Sequence, residues 1–136
     1  MAKLIALDIG GKRTGIAETD FLQMVASPRE TVATDNLMGH LKAMMQEESF
    51  ELIVVGDPKN LDGGDSHNSE RVRQWVADIV KTFPGIPVEL EDERFSSKMA
   101  VDLMVRGGMK KKQRRQKGEV DKVSAAVILQ SYLNRR

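Results

Sequence analysis

Leu4-Ile5-Ala6-Leu7-Asp8-Ile9-Gly10-Gly11-Lys12-Arg13-Thr14-Gly15 is the stretch whose reading decides this chain. It opens as an apolar run with almost no alternation, the pattern of a strand buried on both faces. One carboxylate, Asp8, interrupts that run. A charge leaving water needs a partner, and either a divalent cation or the backbone N–H groups of the following turn would serve. The glycines let backbone approach a phosphate closely, and Lys12 and Arg13 suit a polyanion. The segment therefore brings together the parts of metal-assisted phosphate chemistry.

Outward from this segment the chain reads as alternating strands and helices. Residues 3–8 form the first strand. Residues 15–19 and 25–31 read as two more, with Pro28 demoting the latter to an edge or a bulge. Leu37, Met38, Leu41, Met44 and Met45 have helical spacing, with Thr34 or Asp35 as the N-cap. Residues 52–55 form a buried strand that stops at Gly56, and a polar loop follows over 57–68. Val72, Trp75, Val76, Ile79, Val80 and Phe83 then fall on one helical face, ended by Pro84-Gly85. Residues 88–92 are a strand. Ser96 or Ser97 caps a helix to about residue 106 that Gly107-Gly108 stops. A final helix runs from Glu119 almost to the C-terminus. The expected fold is α/β in a single domain over 1–136: a mixed five-stranded sheet, three antiparallel strands then parallel ones, flanked by helices.

Composition excludes several classes. The 136 residues are 40% hydrophobic and 30% charged, as in a globular domain with its own core. No apolar stretch approaches the ~20 residues of a membrane span, and no signal peptide is expected ahead of Asp8. The absence of cysteine removes disulfides, thiol nucleophiles and thiolate metal sites, and it fits a cytoplasmic protein. His40 and His67 are too few for a multi-histidine zinc centre. Net charge is only +1, but Lys110, Lys111, Lys112, Arg114, Arg115 and Lys117 crowd one short segment. Such a cluster is either a docking surface for phosphates or a solvated charge run.

The acids are the remaining signal. Phosphodiester cleavage with two metals needs carboxylates that hold cations about 3.5–4 Å apart, and Mg²⁺ or Mn²⁺ prefers oxygen ligands. Asp8 ends the first strand, and Asp92 and Glu93 end the fifth. Alternation puts Asp92 with Val88 and Leu90, and Glu93 with Glu89 and Glu91; either of the two could ligate. Asp121 lies in the first turn of the last helix, on the line of Ala125, Ile128 and Tyr132. These three places are expected to meet at one edge of the sheet. Asp57, Asp62 and Asp65 read as turn formers, His67 as a solvated loop residue, and Trp75, Met44, Met45 and Met104 as packing.

Four blocks resemble the YqgF/RuvX family. Residues 7–17, L-D-I-G-G-K-R-T-G-I-A, are similar to its D-x-G-x-K-R-x-G-x-A opening. Residues 54–63, V-V-G-D-P-K-N-L-D-G, are similar to its V-G-x-P-x-N-x-D-G loop. Asp92-Glu93-Arg94-Phe95-Ser96-Ser97 is similar to its D-E-R-[LF]-[ST]-[ST] block, and residues 120–133 to its closing V-D-x-x-A-A-x-x-I-L-Q helix. The departures, Ile9, Gly11, Asp57, Lys59, Ser96-Ser97 and Ser124, remove no candidate ligand. The resemblance implies a ribonuclease H-like fold and an acidic site at Asp8, Asp92/Glu93 and Asp121. Members are described as Holliday junction resolvases and as nucleases that mature the precursor of small-subunit ribosomal RNA.

The expectation is a Mg²⁺- or Mn²⁺-dependent nuclease acting on an RNA precursor or branched DNA. Lys12, Arg13 and Arg94 would hold phosphates near the acids, and the 110–117 cluster would hold them further away. Junction resolution would require a homodimer; trimming of a ribosomal RNA precursor would not. The other readings are a nucleic-acid or ribosome-assembly binding module without catalysis and an actin-like ATPase. The latter shares the opening pattern but needs two such domains.

Overall fold

A computed structural model describes residues 2–58, 68–92 and 117–136, with side chains for all of these except 117–120. The elements in chain order are β1 (Lys3–Ile9), β2 (Arg13–Thr19), β3 (Ala26–Ala33), α1 (Leu37–Glu47), β4 (Phe50–Asp57), α2 (Ser69–Thr82), β5 (Val88–Asp92) and α3 (Lys117–Arg135). They build one five-stranded sheet in the order β3-β2-β1-β4-β5. β2 runs antiparallel to β1 and β3, whereas β4 runs parallel to β1 and β5. The expected helix ending near residue 106 lies outside the described residues, as do Met104 and the loop acids Asp62 and Asp65.

β1 is central and buried on both faces, as its unbroken apolar run requires. Ile5, Leu7 and Ile9 join Ile16, Ile53 and Val55 in a core with Leu37, Leu41 and Met44 of α1 and Val72 and Ile79 of α2. Leu4 and Ala6 point the other way, into a second core with Ala17, Val54 and Ala125, Ala126, Ile128 and Leu129 of α3. Large side chains fill the first core. Alanines fill much of the second, which lets α3 lie close to the sheet.

That closeness peaks at Gly15. A Cβ there would stand 2.0 Å from the backbone oxygen of Asp121 and 2.7 Å from the backbone nitrogen of Lys122. Backbone cannot yield as a flexible side chain can, so Gly15 admits the first turns of α3 rather than a phosphate.

Other boundaries shift for tertiary reasons. β2 begins at Arg13, two residues earlier than expected, because a tight turn pairs Ile9 with Thr14 and Asp8 with Gly15. Gly10 N–H donates to the Arg13 carbonyl at 2.9 Å, and a Cβ on Gly10 would meet that same oxygen at 2.7 Å. β4 continues past Gly56 to Asp57 because β5 supplies a parallel partner as far as Asp92. Pro28 sits on the edge strand, beside a register shift between Ile16 and Ala17. Val80, expected in the helix core, is 47% exposed: the apolar stripe of α2 is wider than the surface it covers.

At the end of the sheet away from the Gly10 turn, Glu48 accepts from Lys3 Nζ at 2.6 Å and from Arg29 Nη2 at 2.6 Å. Glu18 accepts from the same two cations. Hydrogen bonds from Arg29, then Lys3, outweigh desolvation and lower the Glu48 pKa from 4.5 to about 2. Burial opposes the charge of Lys3, yet its bonds to Glu48 and Glu18 leave its pKa raised.

Two predictions follow from this packing. Gly15→Ala should destabilise the protein by about 3 kcal/mol or more in urea unfolding, at or above the usual range for overpacking. Gly39→Ala, on α1 with nothing within 4 Å of the new methyl, should stabilise by about 0.5–1 kcal/mol as the control. The second concerns pH. The folded-state pKa of Glu48 is depressed, so its contribution is complete above about 4.5 and fades as pH falls toward 2. Glu48→Gln should lower stability at neutral pH and flatten the acid limb of a pH series of urea titrations.

Candidate active site

The C-terminal ends of the parallel strands β1, β4 and β5 share one edge of the sheet, together with the Gly10-Gly11-Lys12 turn into β2. That turn is clamped from two sides. Thr34 Oγ1 donates to the Gly10 carbonyl at 2.7 Å, and Thr34 N–H donates to the Lys12 carbonyl at 2.9 Å. With its own proton so used, Thr34 Oγ1 accepts from Thr14 Oγ1 at 2.9 Å. Thr34 and Asp35 therefore do not cap α1. They lie in a 3-10 turn, Thr34–Asn36, and the N-cap position falls to Asn36 without a side-chain cap bond. From the other side Asn68 Nδ2 donates to the Ile9 carbonyl at 3.0 Å.

Asp8 is the penultimate residue of β1 and pairs with Gly15. Alternation puts it on the face of Leu4 and Ala6, the α3 side. Asp121 is on α3, and its backbone rests on Gly15. The same glycine thus brings the helix that carries Asp121 against the strand pair that carries Asp8. Arg13 Nε donates to Asp121 Oδ2 at 3.3 Å, and both side chains are partly exposed. Arg13 is thereby paired with a candidate site acid.

Asp92 ends β5 opposite Asp57 of β4. Its neighbours by alternation, Val88 on its own strand and Val55 on β4 (the partner of Leu90), belong to the α1/α2 core, so Asp92 stands on the opposite face of the sheet from Asp8. It is also two strands away, about 10 Å by strand spacing. The acids of β5 on the α3 face are Glu89 and Glu91, of which Glu91 lies nearer the strand's C-terminal end. Glu91 is buried, accepts from Ser131 Oγ at 2.8 Å and from Arg135 Nη2 at 2.6 Å, and so anchors the far end of α3. Among the described residues no three acids or histidines group closely enough to hold a metal. The donor type of Asp8 and Asp121, carboxylate oxygen only, fits a hard divalent cation.

Glu93, Arg94, Lys110, Lys111, Lys112, Arg114, Arg115 and His67 lie outside the described residues. Lys117 is the first residue of α3. Lys12 is exposed at the turn. Three residues here were not anticipated as site components: Thr34, Asn68 and Arg71, whose guanidinium comes within 3.4 Å of where a Cβ on Gly11 would stand. In the sequence, Thr34 signals only a helix cap and Asn68 only the end of a polar loop.

Residues 2–135 match a family model described as "RuvX: Holliday junction resolvase". A curated relative from Christiangramia forsetii is 47% identical, covering 98% of both chains. Another, from Phocaeicola vulgatus, is 44% identical over 98% of this chain and 96% of its own. Each bears the name "Putative pre-16S rRNA nuclease". Among solved structures, T. thermophilus RuvC in complex with Holliday junction substrate superposes with a TM-score of 0.60 at 18% identity, covering 99% of this chain and 96% of that one. That likeness identifies the sheet and its helices as the ribonuclease H-like fold. With the family model spanning the described site and near-full-length relatives above 40% identity, the chain belongs to the RuvX family.

Proposed function

We propose that this protein is a nuclease that hydrolyses phosphodiester bonds in structured nucleic acid, with the precursor of small-subunit ribosomal RNA as its substrate. The observation that carries the reading is the approach of Asp121 to the Asp8 strand across Gly15. Two acids from opposite ends of the chain reach one face of one sheet edge, beside a turn bearing Lys12 and Arg13. The names of the full-length relatives favour the RNA precursor over other nucleic acids.

In this reading Asp8 and Asp121 are ligands for a divalent cation, Mg²⁺ or Mn²⁺. The third acid is one of the Asp92–Glu93 pair. The position of Asp92 on the far face weighs against it and makes Glu93 the stronger candidate of the two. The bound ion would supply Lewis acidity toward the scissile phosphate and its attacking water. The residues do the rest. Arg13 holds one Asp121 oxygen and sets the direction of that carboxylate. Thr34 and Asn68 hold the glycine turn still, so Lys12 meets a phosphate from a fixed backbone. No helix among the described residues is long and apolar enough to cross a membrane.

A second reading, resolution of branched DNA by a homodimer, draws on the description of the family model. Incubating a labelled four-way junction and a labelled ribosomal RNA precursor side by side with the protein separates the two.

The test is substitution at Asp8. Asp8→Asn should abolish Mg²⁺-dependent cleavage of the precursor while gel-shift affinity stays near that of the unmodified protein. Glu47→Gln, which removes an exposed acid at the end of α1, should still cleave. Undiminished cleavage by Asp8→Asn would overturn the reading.

A further inference from the structure

The Gly10-Gly11 turn has a cation on each side. On the α3 side stands Arg13, bonded to Asp121. On the α2 side stands Arg71, in the first turn of α2 and exposed. Its guanidinium donates through Nη1 to Asn68 Oδ1, and the Asn68 amide is itself tied to the Ile9 carbonyl. The chain from β1 to Asn68 to Arg71 fixes the guanidinium over the turn. Among the described residues Arg71 makes no ion pair with a carboxylate, whereas Arg73, two positions on, pairs with Glu70.

Gly11 is the second observation. Its φ lies outside the left-handed region that favours glycine, so the turn itself does not demand glycine there. A Cβ at that position would lie 3.4 Å from both Cζ and Nη1 of Arg71. A methyl there would come into van der Waals contact with the guanidinium, so its absence leaves that face of the cation and the turn backbone uncovered. A planar cation beside uncovered backbone is suited to a phosphate group, which it can engage with two parallel N–H bonds.

We propose that Arg71, held over the side-chain-free Gly11, binds a phosphate of the substrate strand on the α2 side of the turn, apart from the phosphate met by Lys12. The proposal rests on the nuclease reading and adds a position to it. The nucleic-acid strand then crosses the turn, with the acids on the α3 side and Arg71 fixing a neighbouring phosphodiester.

The experiment measures binding of a fluorescent RNA duplex with a single-stranded tail across a salt series, in an Asp8→Asn background so that nothing is cut. Arg71→Ala should weaken binding about tenfold, the loss of one charge-assisted hydrogen bond. It should also lower the slope of log affinity against log salt by roughly 0.7–0.9, the share of one phosphate. A merely structural role would leave that slope alone. Arg71→Lys should restore the slope but only part of the affinity, because it keeps charge and loses the planar fork. Gly11→Ala should weaken binding when Arg71 is present and have little effect in Arg71→Ala. An unchanged slope and affinity in Arg71→Ala would overturn the proposal and leave the nuclease reading standing. Failure of the background protein to bind the RNA or a DNA junction would remove both.

Discussion

The backbone of α3 at Asp121 and Lys122 rests on the unsubstituted Cα of Gly15, and the geometry of the site is measured from that contact. A helix leaning on a sheet normally keeps its distance through interleaved side chains. Here alanines at 6, 17, 125 and 126 let it settle close, and at Gly15 nothing intervenes. The cross-strand partner of Gly15 is Asp8. A displacement of α3 would therefore move Asp121 relative to Asp8. The clamp of Glu91 by Ser131 and Arg135 holds the other end of the same helix, so α3 is fixed at two points rather than hinged at one.

The two faces of β1 divide the labour. Ile5, Leu7 and Ile9 belong to the large-residue core under α1 and α2, which supplies bulk apolar burial. Leu4, Ala6 and Asp8 face α3, where tight packing positions a polar group at the end of the row. The carboxylate sits where the strand emerges and is not embedded within the core. The glycine turn beyond it gains rigidity from Thr34 and Asn68, residues of two separate segments. A turn fixed from both sides can present backbone and cations without an ordering cost when a polyanion arrives.

Local pattern made the secondary structure legible and left its docking hidden. The unbroken run before Asp8 correctly indicated burial on two faces, and the strand ending at Asp92 fell where the apolar residues and the following acids put it. Pro28 indicated an edge for the reason it occupies one: it has no N–H to give a neighbouring strand. Gly15 shows the limit. A glycine after two cations suggests room for a phosphate, but the same missing side chain serves equally for a helix backbone from residue 121. Thr34 shows it again: a hydroxyl before an apolar helix reads as a cap, yet a carbonyl of a distant turn took its proton. Asp92 and Asp8 both end parallel strands, but their opposite faces emerged only with the register of β4 between them. Contacts across a hundred residues leave no local trace in a single sequence.

β3 has a consequence for how copies of this protein can meet. It is the outermost strand on its side, and Pro28 withholds a donor beside an irregularity in the ladder. Arg29 and Glu30 follow, already joined to each other and, through Arg29, to Glu18 and Glu48. A foreign strand seeking to add itself there would find a broken rail of hydrogen-bonding groups and charges that are already engaged. Growth of the sheet from one molecule into the next, the first step toward fibrous aggregates, is discouraged along that border by the same residues that tie β3 to its own neighbours.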